Sequence, residues 1–274
     1  MTRRPGNRPG GFPLGLDRLA STATPGNGAA REPLRPQRLL HQAAQDASRL
    51  AVPSGLGLDS AKVRQRMVQR LRADGVRSEA LLAAMSQVPR HHFVDTALAI
   101  QAYEDTSLPI GHGQTISKPS VVARMIDLLF EGANARRDGQ LGQVLEIGTG
   151  CGYQTAVLAC VARHVVSIER VRPLFDKART HLAEWRLNQV RLVHGDGMLG
   201  HGSRAPYDSV IAAAGGDDLP QAWLDQLAVG GRLVAPMVVG GGGQALMVVD
   251  RTSGGWSRHQ QEAVHFVPLK SGVI

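Results

Sequence analysis

The sequence predicts an α/β fold: a mostly parallel sheet flanked by helices, with an antiparallel hairpin at one edge. Three observations predict it. From residue 142 onward, short apolar runs of strand length alternate with stretches of helical spacing. The first run, 144–147, stops at three alternating glycines, Gly148, Gly150 and Gly152, before a helical pattern begins. The second run, 164–168, ends in Glu169. Strand, glycine turn, helix, strand and terminal acid make a unit that binds ligands at the carboxyl ends of its strands.

The elements follow in order. Residues 1–58 are rich in Pro, Gly and Arg and read as a disordered extension, with at most a short helix over 37–50. They hold eight Arg and no Lys against Asp17, Glu32 and Asp46, and so carry five of the chain's net charge of +8. The folded domain is expected over 59–274. Ser60 can cap a helix whose face carries Val63, Met67 and Leu71 and which Gly75 ends. A second short helix fits 78–88, before Pro89. Residues 93–117 show little periodicity; their mixture of Gly, hydroxyls and apolar residues predicts an ordered loop lining a pocket. Pro119 suits the first turn of a helix reaching Phe130.

Strands are then expected at 143–147, 165–169, 190–194, 207–213 and 232–238, with helices at 153–162, 173–186 and 220–227. Gly230-Gly231 reads as a turn before the fifth of these strands. The chain closes with strands at 244–250 and 264–269, and the turn through Ser253-Gly254-Gly255 predicts the edge hairpin. Trp185, Trp223 and Trp256 read as core or helix-packing residues.

Composition excludes several classes. Cys151 and Cys160 are the only two cysteines and fit neither a disulfide framework nor a zinc site, which favours a reduced, cytoplasmic setting. No apolar run approaches the ~20 residues that span a bilayer. Arg3-Arg4 has no apolar stretch behind it, so no export signal is read. The basic extension leaves room for weak contact with nucleic acid, but neither nucleic acid nor membrane is an expected partner. The adjacent His91 and His92, with no acid cluster beside them, give no metal site.

The glycine spacing selects among nucleotide cofactors. A dinucleotide site needs G-x-G-x-x-G, and here the third position of that pattern is Tyr153. Glu146, two residues before the first glycine, would repel a pyrophosphate and suits the positive charges of S-adenosylmethionine. Glu169 can accept from ribose hydroxyls and Asp196, at the third strand tip, from an adenine amino group. Gly148, Thr149, Gly150, Gly152 and Gly197 complete the expected cofactor set.

With these residues in place, the sequence resembles the protein-L-isoaspartate O-methyltransferases over about 60–269. Val88-Pro89-Arg90 with Phe93-Val94, Ala102-Tyr103-Glu104-Asp105, Leu108-Pro109-Ile110-Gly111 and the run from Gly113 to Ser117 carry the resemblance. So do the 144–153 block, Ser167-Ile168-Glu169-Arg170, Gly195-Asp196-Gly197, Ala205-Pro206-Tyr207-Asp208, the run from Gly230 to Val234 and Phe266-Val267-Pro268-Leu269. The chain departs from the family pattern at Cys151, at Ala214–Asp218 and in the long glycine run 240–243. The resemblance implies a Rossmann-like class I methyltransferase that uses S-adenosylmethionine. Its substrates would be isoaspartyl peptides and damaged proteins, methylated on the isoaspartyl α-carboxylate as a first repair step. It implies Ser117 as the active-site residue, orienting the attacking carboxylate at a helix N-terminus. Thr115, Ile116, His112 and Val267 are the expected substrate contacts, and the expected working unit is a monomer. Two other readings stay open: a methyltransferase with a different, small-molecule acceptor, and a non-catalytic binding protein of the same fold. The absence of an Asn-Pro-Pro-Tyr-type motif, where Ala212-Ala213-Ala214-Gly215 stands, argues against a base methyltransferase.

Overall fold

The computed structural model describes residues 60–274. The expected extension over 1–58, with its short helix at 37–50, lies outside the described residues. Helix α1 (Ser60–Ala73) buries Met67 and Leu71 and gives way at Gly75, whose φ is +99°. Helix α2 (Glu79–Gln87) starts under a Ser78 cap, the hydroxyl accepting from the Leu81 amide. Two 3₁₀ turns, Arg90–Phe93 and Thr96–Gln101, follow. The stretch expected to be irregular then forms a two-stranded antiparallel hairpin of β1 (Leu108–Gly111) and β2 (Gln114–Ile116). Gly111, His112 and Gly113 all take positive φ at its tip, where the chain reverses. Helix α3 (Pro119–Phe130) matches its expected bounds, and a short α4 (Ala133–Asp138) follows that the sequence pattern did not reveal.

The central sheet has seven strands. In chain order they are β3 (Gln143–Ile147), β4 (His164–Glu169), β5 (Val190–His194), β6 (Tyr207–Ala212), β7 (Leu227–Val238), β8 (Gln244–Thr252) and β9 (Gly255–Val264). The helices between them are α5 (Tyr153–Val161), α6 (Arg172–Ala183) and α7 (Gln221–Asp225). The spatial order is β5-β4-β3-β6-β7-β8-β9. Strands β5 to β7 of that order pair in parallel, and β7, β8 and β9 pair antiparallel. The expected mostly parallel sheet with an antiparallel edge is therefore the fold. Apolar side chains pack on both faces of the sheet, so the central strands are buried on both sides: β3 exposes none of Val144, Leu145, Glu146 or Ile147.

Three expectations need correction. Gly230-Gly231 lies inside β7 rather than before it; Gly230 takes φ +80° and the pairing with β6 shifts register there, so the glycines make a bulge. The last strand is β9, not 264–269. Its run Arg258, His259, Gln260, Gln261, Glu262 lacks apolar alternation because an edge strand has one neighbour and open water beside it. Val264 ends β9, and residues 265–269 instead leave the sheet and cross its carboxyl edge. The Gln244 side chain receives the Phe266 amide (2.7 Å) and donates to the Phe266 carbonyl (3.3 Å). Gly215 then donates to Val267 and receives from Leu269. Of the tryptophans, Trp223 is fully buried, whereas Trp256 is 40% exposed beneath the Arg251 guanidinium.

Candidate active site

The strand order reverses between β3 and β6, and a crevice opens at that point beyond their carboxyl ends. The turn after β3 is built by conformation. Gly148, Gly150 and Gly152 all hold positive φ, which side chains disfavour. Gly148 donates its amide to the Ile168 carbonyl (2.9 Å), and the Thr149 hydroxyl meets that of Ser167 (2.6 Å). The turn is thereby fixed to β4.

The acids expected at the strand tips take three different positions. Glu169, 5% exposed, lines a cavity of about 360 Å³ together with Gly148, Gly150, Arg170, Val171 and Gly197. One carboxylate oxygen accepts from the Gly150 amide (2.8 Å) and the other from the Val171 amide (2.9 Å). Lone pairs remain for further donors. Glu146 does not line this cavity. It is fully buried beneath the turn, accepting from the Thr155 hydroxyl (2.5 Å) and the Gln154 amide (3.1 Å). Burial pushes its carboxyl up to about 7, against the pull of those donors. Like Glu169, Asp196 accepts one amide on each oxygen, from Met198 (2.9 Å) and from Gly272 (2.6 Å), and it too keeps lone pairs. The second bond brings the segment after Leu269 against the cavity rim, where Lys270 and Ile274 join the lining.

The glycines divide in the same way. Gly197 lines the cavity, its carbonyl receives the Trp223 indole N–H (2.8 Å), and a Cβ there would stand 2.6 Å from Ile147 Cγ2. Gly152 faces away, and a Cβ on it would meet Leu182 at 3.1 Å, so it serves packing against α6. Thr149 sits at the junction described next rather than in the main cavity.

A second cavity of about 340 Å³ lies beside the first and is lined by Ser117, Lys118, Val264, Phe266 and Val267. Thr115, Ala213 and Val267 border both cavities. A constriction of about 40 Å³ joins them, bounded by Thr115, Ile116, Ser117, Gly148, Thr149 and Gly150. Ser117 immediately precedes α3 and is half-buried; its hydroxyl has no partner among the described residues. His112 is exposed at the hairpin tip on the first cavity, away from Ser117's own cavity. The structure thus brings Thr115, Ile116, Ser117 and Val267 together and leaves His112 on the other side.

Sequence reading missed Arg90. Its guanidinium is 0% exposed, donates to the Ser117 carbonyl and lies over the Tyr153 ring. Only its place in the Val-Pro-Arg block drew attention to it.

A parallel sheet that reverses at β3 and β6, with a glycine turn and an acid on the adjacent strand tip, defines a Rossmann-like class I methyltransferase fold. The family model described as protein-L-isoaspartate(D-aspartate) O-methyltransferase matches residues 61–273. A protein-L-isoaspartate O-methyltransferase of Methylibium petroleiphilum is 61% identical over 263 residues, covering 95% of this chain and 96% of that one. One from Leptothrix cholodnii is 60% identical over 242 residues, covering 88% and 84%. Among solved structures, a protein-L-isoaspartate O-methyltransferase superposes with a TM-score of 0.68 at 25% identity, covering 77% of this chain and 67% of that one. A Plasmodium falciparum structure of the same description, in complex with S-adenosyl-L-homocysteine, gives 0.65 at 21% identity, covering 76% and 98%. The chain belongs to the protein-L-isoaspartate O-methyltransferase family.

Proposed function

We propose that this chain transfers a methyl group from S-adenosylmethionine to the α-carboxylate of L-isoaspartyl residues in peptides and damaged proteins. The observation that carries this reading is the pair of cavities meeting at Thr115, Ala213 and Val267. One has an acid on its wall and the other has a hydroxyl at a helix N-terminus. Such a pair suits a donor and an acceptor that must meet in line.

The residues present fit the cofactor. Glu169 keeps acceptor capacity for ribose hydroxyls beside the Gly148–Gly150 turn, and Tyr153 stands where a dinucleotide turn carries its third glycine. When bound, S-adenosylmethionine supplies the methyl group as an electrophile on sulfonium. The chain's own part is binding, alignment and exclusion of water. A carboxylate is ionised at neutral pH, so no general base is required of the protein. The Ser117 hydroxyl donates to the acceptor carboxylate, beside the N-terminal end of α3, whose dipole favours an anion. Thr115 and Ile116 confine it at the constriction, and Val267 walls the cavities on either side. Positioning of this kind supplies on the order of 7–11 kcal/mol. Of the other expected cofactor residues, Glu146 is assigned to holding the turn and Gly152 to the α6 contact, while Asp196 at the rim keeps acceptor capacity for the adenine amino group. His112, at the hairpin tip, is assigned to the cofactor side.

A monomer is proposed as the working unit. No helix among the described residues is long and apolar enough to cross a membrane. A cytoplasmic setting is proposed from the two free cysteines, Cys151 and Cys160.

The test is transfer of labelled methyl to two peptides that differ only in isoaspartate against aspartate at one position. Labelling of the isoaspartyl peptide alone is expected. Ser117→Ala should lower kcat/KM roughly 10- to 100-fold, the worth of one hydrogen bond to a charged group. Equal labelling of both peptides, or of neither while cofactor still binds, would overturn the reading.

A further inference from the structure

Arg90 is a fully buried cation with no carboxylate in ion-pair reach among the described residues. Its Nε donates to the Ala102 carbonyl (2.7 Å) and its Nη2 to the Ser117 carbonyl (2.7 Å). Those two carbonyls are the two ends of the segment that contains the β1–β2 hairpin. The guanidinium carbon lies 4.8 Å from the centroid of the Tyr153 ring, the first residue of α5 after the glycine turn. One planar group therefore grips both ends of the acceptor-side loop and rests on the cofactor-side helix. An apolar residue of similar volume would fill this space without the desolvation cost of a charge. The cation brings something packing does not: two donors in a rigid fork.

We infer that Arg90 is a positioning residue for methyl transfer: by holding the Ser117 carbonyl it fixes the peptide plane that aims the Ser117 hydroxyl at the constriction. The inference rests on the assignment of Ser117 made above. Fixing that carbonyl also fixes the adjoining N–H of Lys118, the cap residue before α3. The grip on Ala102 keeps the hairpin from carrying Thr115 and Ser117 away from the glycine turn. Tyr103, next to Ala102, is held independently by Arg70, whose guanidinium donates to its carbonyl (2.6 Å). The far end of the loop at Ser117 is thus the end that Arg90 governs.

The test uses the full chain with Arg90→Lys, Ser117→Ala and the double variant. Lysine keeps the charge but cannot fork to both carbonyls. Affinity for S-adenosylhomocysteine, by calorimetry, should stay within about threefold of wild type in Arg90→Lys. Turnover of an isoaspartyl peptide should fall at least about tenfold in kcat/KM, chiefly through kcat. The double variant should lose little more than Ser117→Ala alone, because both act through one hydroxyl. Amide exchange should quicken within 102–117 and not within 143–169. Wild-type turnover in Arg90→Lys would overturn the inference. Losses that multiply in the double variant would do the same. So would a parallel fall of cofactor affinity, or failure to fold, since Arg90 would then be a core support only. A silent Ser117→Ala would instead remove Ser117 from the reaction; turnover and loop exchange in Arg90→Lys alone would then decide Arg90's part.

Discussion

Two buried glutamates flank the glycine turn, and their partners give them different duties. Glu169 accepts from two backbone amides on the cavity wall. Glu146 accepts from side chains of α5, beneath the turn, where burial raises its carboxyl from 4.5 to about 7. Depth along the sheet decides between them: Glu146 pairs with Ser167 inside the ladder, whereas Glu169 lies two positions further on, at the very end of its strand and on the same face. The sign of the linkage follows. Between about pH 4.5 and 7 the native state keeps a proton on Glu146 that the unfolded chain has lost. Stability from the neutral form is therefore whole below about 4.5 and drains away as pH rises through about 7, by roughly 3 kcal/mol in all. Glu146→Gln has no proton to lose. Its stability relative to wild type, from urea unfolding, should grow by about 1.4 kcal/mol per pH unit between pH 5 and 7 and level off above. Parallel curves for the two proteins would show that Glu146 does not titrate in this window.

At the scale of elements, α3 starts without help from its own cap residue: the Lys118 side chain makes no capping bond. The cap comes from across the loop. Asp105 accepts from the Ser120 amide (2.9 Å) and hydroxyl (2.7 Å). Asp105→Ala is predicted to cost about 1 kcal/mol, the usual worth of a cap. It should also lower kcat/KM for the isoaspartyl peptide, because the same bond seats the loop. Thermal melts and peptide kinetics would check both, and a change in stability alone would confine Asp105 to capping. Elements from β3 onward were legible because buried parallel strands are continuous apolar runs and glycines punctuate them. The β1–β2 hairpin was not, since strands of four and three residues, one containing Pro109, are too short for a period to register. Strand β9 hid for a different reason, its solvent-facing polarity. The 265–269 run misled in the opposite sense, being apolar because it walls a cavity rather than because it joins the sheet. In the site itself, position along the chain located the acids and Ser117. It could not tell which acid turns toward the crevice, nor that a lone arginine would end up buried behind Ser117, since both depend on packing between segments far apart in sequence.

At the scale of the molecule, the strand reversal between β3 and β6 decides where chemistry can occur. It gathers the turn after β3, Glu169 at the tip of β4 and Ala213 after β6 onto one edge of the sheet. The hairpin and the 265–269 segment then close that edge from above, each tied down by a side chain from elsewhere: Arg90 for the first and Gln244 for the second. Among the described residues, those that line either cavity fall between Ser107 and Ile274. Residues 1–58, with five of the eight net positive charges, lie outside the described residues and read from the sequence as a basic extension. A chain beginning at residue 59 is therefore predicted to keep kcat/KM for isoaspartyl peptides within about twofold of the full chain. The comparison should be run at low and at physiological salt. A basic segment that recruits acidic substrates would act through long-range attraction, which salt screens over about 10 Å. A loss seen only at low salt would assign residues 1–58 to substrate capture. A loss of tenfold or more at both would mean that the extension takes part in the site, against the division of labour drawn here.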